Sequence, residues 1–339
     1  MAAIDGDWVE LKGKDLQLKV CCSSPWRMTN WIHSHYCFQV LKDTKGDEAR
    51  DIKKGDAILL SVIGWKCEEP PTTEFSEEND SKLIFQQASS WLVIVGEQDL
   101  VEGLDTGIAN MKEGQTAYIF CNSKFALGEG TRKYQDCLVE ANTNVVYQAT
   151  TTQIVQDTSR LNPYFSLQKA LTRKKIANDL YQCELMSLTS KQAADNQNEA
   201  ARMRALKLYR QAGRDMKDLL DGTYFNSVEQ DHPQRKECKQ LMIDCYNNVV
   251  VIYMHCKQYA KALDAVEIAL KRDPKNLKAM IRNAKLHVLV ASSEKKLKEA
   301  DEALKLAENA ISYRDQAEEA EIKKIRLQYK QRKRQITGQ

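Results

Sequence analysis

From Pro163 to the last residue only two prolines, Pro233 and Pro274, interrupt the chain, and the apolar residues recur there at helical spacing. Upstream the pattern differs. Short β-like runs, Tyr36 to Leu41, Ala57 to Ile63, Ser90 to Val95, Ala117 to Cys121 and Asn144 to Val155, alternate with turns carrying Gly46, Gly55, Gly64, Gly96, Gly103, Gly114 and Gly128. A chain that switches period in this way folds as two bodies, so the expectation is α+β followed by all-α. One short helix is expected within the sheet region, through VEGLDTGIANM, where Leu100, Leu104, Ile108 and Met111 recur every three or four residues.

Length agrees, because 339 residues exceed what one hydrophobic core usually organises. The boundaries read from the pattern are an N-terminal extension over 1–35, a sheet domain over 36–155, a linker over 156–167, repeats over 168–312 and a C-terminal helix over 313–339. Charge divides in the same place. Residues 1–155 carry 15 Lys and Arg against 23 Asp and Glu, and the remainder carries 35 against 24. A basic helical half attracts acidic peptides at long range. No apolar run reaches the ~18 residues of a membrane span, and the opening residues show neither a basic nor an apolar signal region. The expected location is the cytoplasm, with no membrane partner.

The ten cysteines are scattered without a C-x-x-C pair, which favours reduced thiols. His33, His35 and Cys37 alternate as ligands on one strand face would, but a fourth metal ligand is missing, so an edge strand is the expectation and neither a metal nor another cofactor is expected. EFSEENDSK reads as an acidic flexible loop.

In the helical half the clearest unit is Ile243 to Pro274. Its positions Val249, Tyr253, Tyr259, Ala262, Val266 and Ala269, closed by Pro274, follow the two-helix pattern of a ~34-residue tetratricopeptide repeat. A second such unit runs through NLKAMIRNAKLHVLVASSEKKLKEADEALKLAENAI. A weaker one begins at LTRKKIANDLYQ and resumes at ARMRALKLYRQAGRDMKDLL after a polar insertion. Three units are about the minimum that buries a continuous core by stacking.

Five polar residues fall on the first helices of these units. Lys174 and Asn178 are four apart, Asn248 lies on the next unit, and Lys278 and Arg282 are again four apart. First helices of stacked repeats line a concave groove, so all five are expected to face one basin. Lysine and arginine supply charge-assisted bonds to carboxylates, and asparagine both donates to oxygen and accepts from peptide N–H. The set resembles the carboxylate clamp of tetratricopeptide co-chaperones. That resemblance implies a partner, the Glu-Glu-Val-Asp tail of heat-shock protein 90, heat-shock protein 70, or both. Ala177 stands where that family usually has glycine.

Residues 38–155 resemble an FKBP-type immunophilin, a peptidyl-prolyl isomerase domain. FQVLKDTKGDEARDIKKGD, ILLSVIGW, NVVYQATTTQIV and above all EGLDTGIANMKEGQ carry the likeness. The fold class implied is an antiparallel FKBP-like sheet with a short helix, followed by a tetratricopeptide α-solenoid. Such domains isomerise X-Pro bonds without acid or base residues, by gripping the prolyl ring in an aromatic-lined pocket and easing a rotation barrier of ~18–20 kcal/mol. The resemblance assigns the pocket to Val62, Phe75, Trp91, Leu100, Val101, Leu104, Leu127 and Tyr147. Three aliphatic side chains, Val62, Leu104 and Leu127, replace a strand tyrosine, a floor tryptophan and a substrate-binding tyrosine, while Ser76 replaces the pocket aspartate. A degenerate, inactive isomerase follows.

The helix AEEAEIKKIRLQYKQRKRQ starts acidic and ends basic, as the helix dipole favours, and reads as a cap of the solenoid. Its stripe Ile322, Ile325 and Tyr329 beside KQRKR offers calmodulin as the other partner. Nucleic acid is not expected, since the basic run is short and lacks interleaved aromatics. Two functions therefore stand: a co-chaperone adaptor whose sheet domain contacts protein clients, or an active isomerase delivered to its substrates by the repeats.

Overall fold

A computed structural model of the chain describes residues 8–10, 19–21, 36–43, 49–67, 84–128, 132–134, 137–155, 162–187, 199–227, 232–311 and 316–338. Phe75, Ser76, the acidic segment 74–82, His33 and His35 lie outside them. The chain forms two compact units, Met1–Ala205 and Leu206–Gln339. Among the described residues no helix is long and apolar enough to cross a membrane.

The first unit is built on a seven-stranded antiparallel sheet. Its strands are β1 (Trp8–Glu10), β2 (Lys19–Cys21), β3 (Tyr36–Asp43), β4 (Ala57–Cys67), β5 (Ile84–Ile94), β6 (Gln115–Cys121) and β9 (Asn144–Ile154), in the order β2-β1-β3-β6-β9-β4-β5. A separate hairpin joins β7 (Arg132–Tyr134) to β8 (Cys137–Val139). Along β4 the alternation is plain: Ile58, Leu60 and Val62 are buried and the residues separating them are half-exposed, the period-2 signature of a strand with one face on a core. The segment taken as an N-terminal extension contributes β1 and β2, which lengthen the sheet beyond β3.

Helix α1 (Glu102–Ile108) lies against β6 and β3, and the four apolar residues that predicted it, Leu100, Leu104, Ile108 and Met111, are all buried. Gly107 permits the close approach. A Cβ added there would sit 2.6–2.9 Å from three side-chain atoms of fully buried Ile119.

The stretch 156–167, taken above as linker, is partly helix. Asn162 accepts at Oδ1 from the N–H groups of Tyr164 and Phe165 (3.1 and 3.3 Å), and Pro163 follows at the first helical position, so α2 runs over Pro163–Ser187. It packs on β5 and belongs to the sheet-containing unit. Helix α3 (Glu199–Asp221) begins in the same unit and continues into the second.

The second unit contains α4 (Pro233–His255), α5 (Tyr259–Arg272), α6 (Leu277–Val290), α7 (Glu294–Asn309) and α8 (Gln316–Thr337). Helices α4 with α5 and α6 with α7 form consecutive pairs, and α5 also packs on α6. Small Ala262, Ala265 and Ala269, all buried on α5, allow that close packing. Asn276 caps α6 by accepting from the Ala279 N–H at 3.0 Å, and Ser293 caps α7. Helix α8 covers the end of the stack: Ile322 and Ile325 join a core with Ile281, Ala284, Val288, Ala300 and Leu304. Arg326 clasps Asp301 and Glu308 of α7 and lies 5.6 Å from the Tyr329 ring.

Trp65 and Trp91 are buried in the first unit and no tryptophan follows Trp91 in the sequence, so indole fluorescence follows the unfolding of that unit. Gly107→Ala is expected to overpack α1 against β6 and to lower the fluorescence-detected stability by about 1–3 kcal/mol. Urea titration of the variant beside the wild type measures it, and an unchanged midpoint would refute the close-packing role.

Candidate binding sites

Two sets of residues were singled out by sequence. The pocket set lies in the first unit, in a cleft with a cavity volume of about 30 Å³. Trp91 from β5, Leu100, Val101 and Leu104 at the start of α1, and Leu127 line it. Val62 and Tyr147 do not; both are fully buried within the sheet core. Six further residues line the cleft and escaped the sequence reading: Gln86, Asp99, Ile176, Asp179, Leu180 and Arg204. Three of these come from α2.

Helix α2 therefore forms one wall of the cleft. Ile176 and Leu180, four apart and both buried, face the aliphatic Leu104 and Leu127 side chains, and burying each contributes roughly 1.5–3 kcal/mol. Small-molecule sites measure about 300–1,000 Å³. The residual space here suits a water or two. The sequence carried little signal for this. Phe165, Lys169, Thr172, Ile176 and Leu180 recur at three- to four-residue steps and are buried, but so are Ser166, Leu167, Ala170, Arg173 and Ala177, so the spacing marked no single face.

Polar contacts fix the same face. Arg173 donates from Nε to Asp99 Oδ2 at 2.9 Å and from Nη2 to Glu97; the Arg173 and Asp99 side chains are 3% and 2% exposed. Arg204 donates to the Asp99 carbonyl oxygen at 3.1 Å. Burial pushes the Asp99 carboxyl above the ordinary carboxylate range, while Arg173 pulls it down. Strand β5 is the last in the sheet, and its Leu92 N–H donates to Thr172 Oγ1 at 3.1 Å, closing part of an otherwise open edge. Phe165 completes the contact by packing with Ala57 and Leu92.

The second set is distributed over three helices. Lys174 and Asn178 are half-buried on α2 in the first unit. Asn248 on α4 and Arg282 on α6 are half-buried, and Lys278 on α6 is exposed, all in the second unit. Helices α4 and α6 are neighbours, and Asn247 Nδ2 donates to Asn276 Oδ1 at 3.3 Å, so the residue beside Asn248 reaches the turn that precedes Lys278.

No protein-family model matches the chain. Among solved structures it is similar to a multi-domain immunophilin from Arabidopsis thaliana, at 16% identity over 81% of this chain and 94% of the other, with a TM-score of 0.32. It is also similar to the N-terminal domain of Arabidopsis FKBP42, at 16% identity over 43% of this chain and 99% of the other (TM-score 0.29). A third similar structure is the C-terminal TPR-containing domain of a putative FK506-binding protein from Plasmodium falciparum, at 19% identity over 52% of this chain and 95% of the other (TM-score 0.36).

Asp179 offers a test of the cleft's occupation. Burial raises its carboxyl from 3.8 to about 6, against the pull of Lys175. A carboxyl whose folded value lies above its unfolded one binds a proton more tightly in the folded state. Its share of stability is full below about pH 4 and is lost as pH rises through about 6. Asp179→Asn removes that loss. The variant is expected to match the wild type at pH 4 and to exceed it by about 1–2 kcal/mol at pH 7.5, allowing for the water that reaches the group. Fluorescence-detected urea unfolding at both pH values checks this; a pH-independent difference would contradict it.

Proposed function

We propose that the chain is a cytoplasmic co-chaperone adaptor. Its helical repeats dock on the C-terminal carboxylate tail of heat-shock protein 90, heat-shock protein 70, or both, while its sheet unit contacts protein clients. The observation that carries the reading is the adjacency of α4 and α6, which sets Asn248, Lys278 and Arg282 on neighbouring first helices of two consecutive helix pairs. Their chemistry matches a terminal carboxylate: an exposed ammonium, a guanidinium fork and an amide that both donates and accepts. Lys174 and Asn178 complete the set by residue type and spacing.

The filled cleft weighs against catalysis. A prolyl ring needs the space that Ile176 and Leu180 of α2 occupy, and aliphatic Leu104 and Leu127 stand where the resemblance expects aromatic groups. The alternative is an active peptidyl-prolyl isomerase, favoured by Trp91, which keeps an aromatic ring in the cleft. Acceleration of prolyl isomerisation by the full chain would establish it. Calmodulin is the weaker partner, because Ile322 and Ile325 of its docking stripe are 3% and 1% exposed, covered by α6 and α7.

Calorimetric titration of the full chain with a peptide ending in Glu-Glu-Val-Asp tests the docking reading. The free carboxylate form is expected to bind at least about tenfold more tightly than its amidated form, and Lys278→Ala or Arg282→Ala to weaken it by about tenfold or more. Affinity falls as salt rises. Equal binding of the two peptides, or undiminished binding in both variants, removes the proposal.

A further inference from the structure

We infer that the cleft of the first unit is a binding site for an ordered water, hydrogen-bonded at once to the Trp91 indole N–H and to Asp99 Oδ1. The inference concerns the first unit alone and is independent of the docking reading given above.

Trp91 on β5 and Asp99, in the turn between β5 and α1, both line the cleft and are 3% and 2% exposed. Arg173 bonds to Asp99 Oδ2, and Arg204 to the Asp99 carbonyl oxygen. Asp99 Oδ1 and Trp91 Nε1 are buried atoms with no hydrogen-bond partner among the described residues, so neither bonds to the other. A polar atom held in that condition forfeits its hydration and gains nothing in return. Two such atoms on the wall of one cleft point to a ligand that serves both.

The chemistry of the two atoms identifies it. The indole nitrogen only donates and a carboxylate oxygen accepts, so the ligand must accept on one side and donate on the other. A metal or ammonium ion cannot accept, and a halide cannot donate and would meet the charge of Asp99. The cavity volume of about 30 Å³ exceeds the ~10–15 Å³ that a single water requires and leaves no room for an organic molecule. Water is the molecule of that size with both capacities. Gln86 and Asp179, which line the same cleft, offer it further partners, and a buried water commonly uses roughly two to four. Aliphatic Leu104, Leu127 and Ile176 by themselves would enclose a dry cavity; the polar pair is what wets it. The water also serves the buried ion pair. It satisfies the carboxylate oxygen that Arg173 leaves over, and so favours the charged form of Asp99 against the burial that pushes its carboxyl upward.

Nuclear magnetic resonance of the full chain with isotope-labelled indoles tests this. The Trp91 indole signal is assigned by its loss in Trp91→Phe, and all other readings are taken on the unsubstituted protein. That signal is expected to show a cross-relaxation peak to water with the sign of a long-lived contact, while its proton exchanges at least about a hundredfold more slowly than that of free tryptophan. A protected indole proton without a water peak means a dry cavity or a protein partner and overturns the inference. Rapid exchange with bulk solvent overturns it as well, since the site is then open. A crystal structure of the full chain checks the second contact: one water is expected within about 3.2 Å of both Trp91 Nε1 and Asp99 Oδ1. Density bonded to one of these atoms alone, or to neither, refutes the bridge.

Discussion

A guanidinium buried against a carboxylate is the fixed point of the first unit. Taking Arg173 and Asp99 out of water costs several kcal/mol per ion, and only good geometry with further bonds recovers it. Arg173 meets that condition by bonding Asp99 and Glu97 together, and Arg204 adds a bond to the Asp99 carbonyl. The pair tolerates no half measure. Losing one partner strands a buried charge, at about 3–5 kcal/mol, whereas the apolar contacts of Phe165, Ile176 and Leu180 would each weaken gradually. What the pair supplies is therefore register: one helix, seated one way, on the edge strand β5 and over the cleft.

The second unit reaches order by other means. Its alanines let α5 pack closely, its caps are short polar side chains at the starts of α6 and α7, and its charged contacts concentrate where α8 meets α7. Arg326 sits there with two carboxylates, partly open to water, so it adds orientation to a helix already held by Ile322 and Ile325. A stack closed in this way has an apolar interior and a polar end, as terminal elements of repeat arrays require.

Much of this was legible in the sequence. The change of period after Pro163 separated sheet from helices, Leu100, Leu104, Ile108 and Met111 marked α1, and the Ile243–Pro274 repeat returned as α4 and α5. The change to helical spacing was placed at Pro163, where α2 begins, but the linker bound at 167 ran past that start, although Asn162 and Pro163 are a cap and a first-turn proline. The cleft was half legible. Resemblance named Trp91, Leu104 and Leu127, but it also named Val62 and Tyr147, which the core absorbs. It had no means to supply Ile176 and Leu180, since contact across a fold depends on tertiary packing that local periodicity does not encode. Buried residues surround much of α2, Ser166, Leu167, Ala170 and Ala177 among them, so no single stripe marked the surface it covers.

That one wall of the cleft is a helix of the same chain has a consequence for how the sequence is free to change. Leu104, Leu127, Ile176 and Leu180 share one small volume. A larger residue at any one of them displaces another, and a smaller one leaves a void that costs stability in proportion to its size. Four positions far apart along the chain are thus tied into a single steric quota. A bulkier side chain at position 104, with no side chain on α2 shortened, would wedge the helix off the sheet, so a wider cleft floor and a seated α2 are mutually exclusive states of the same sequence.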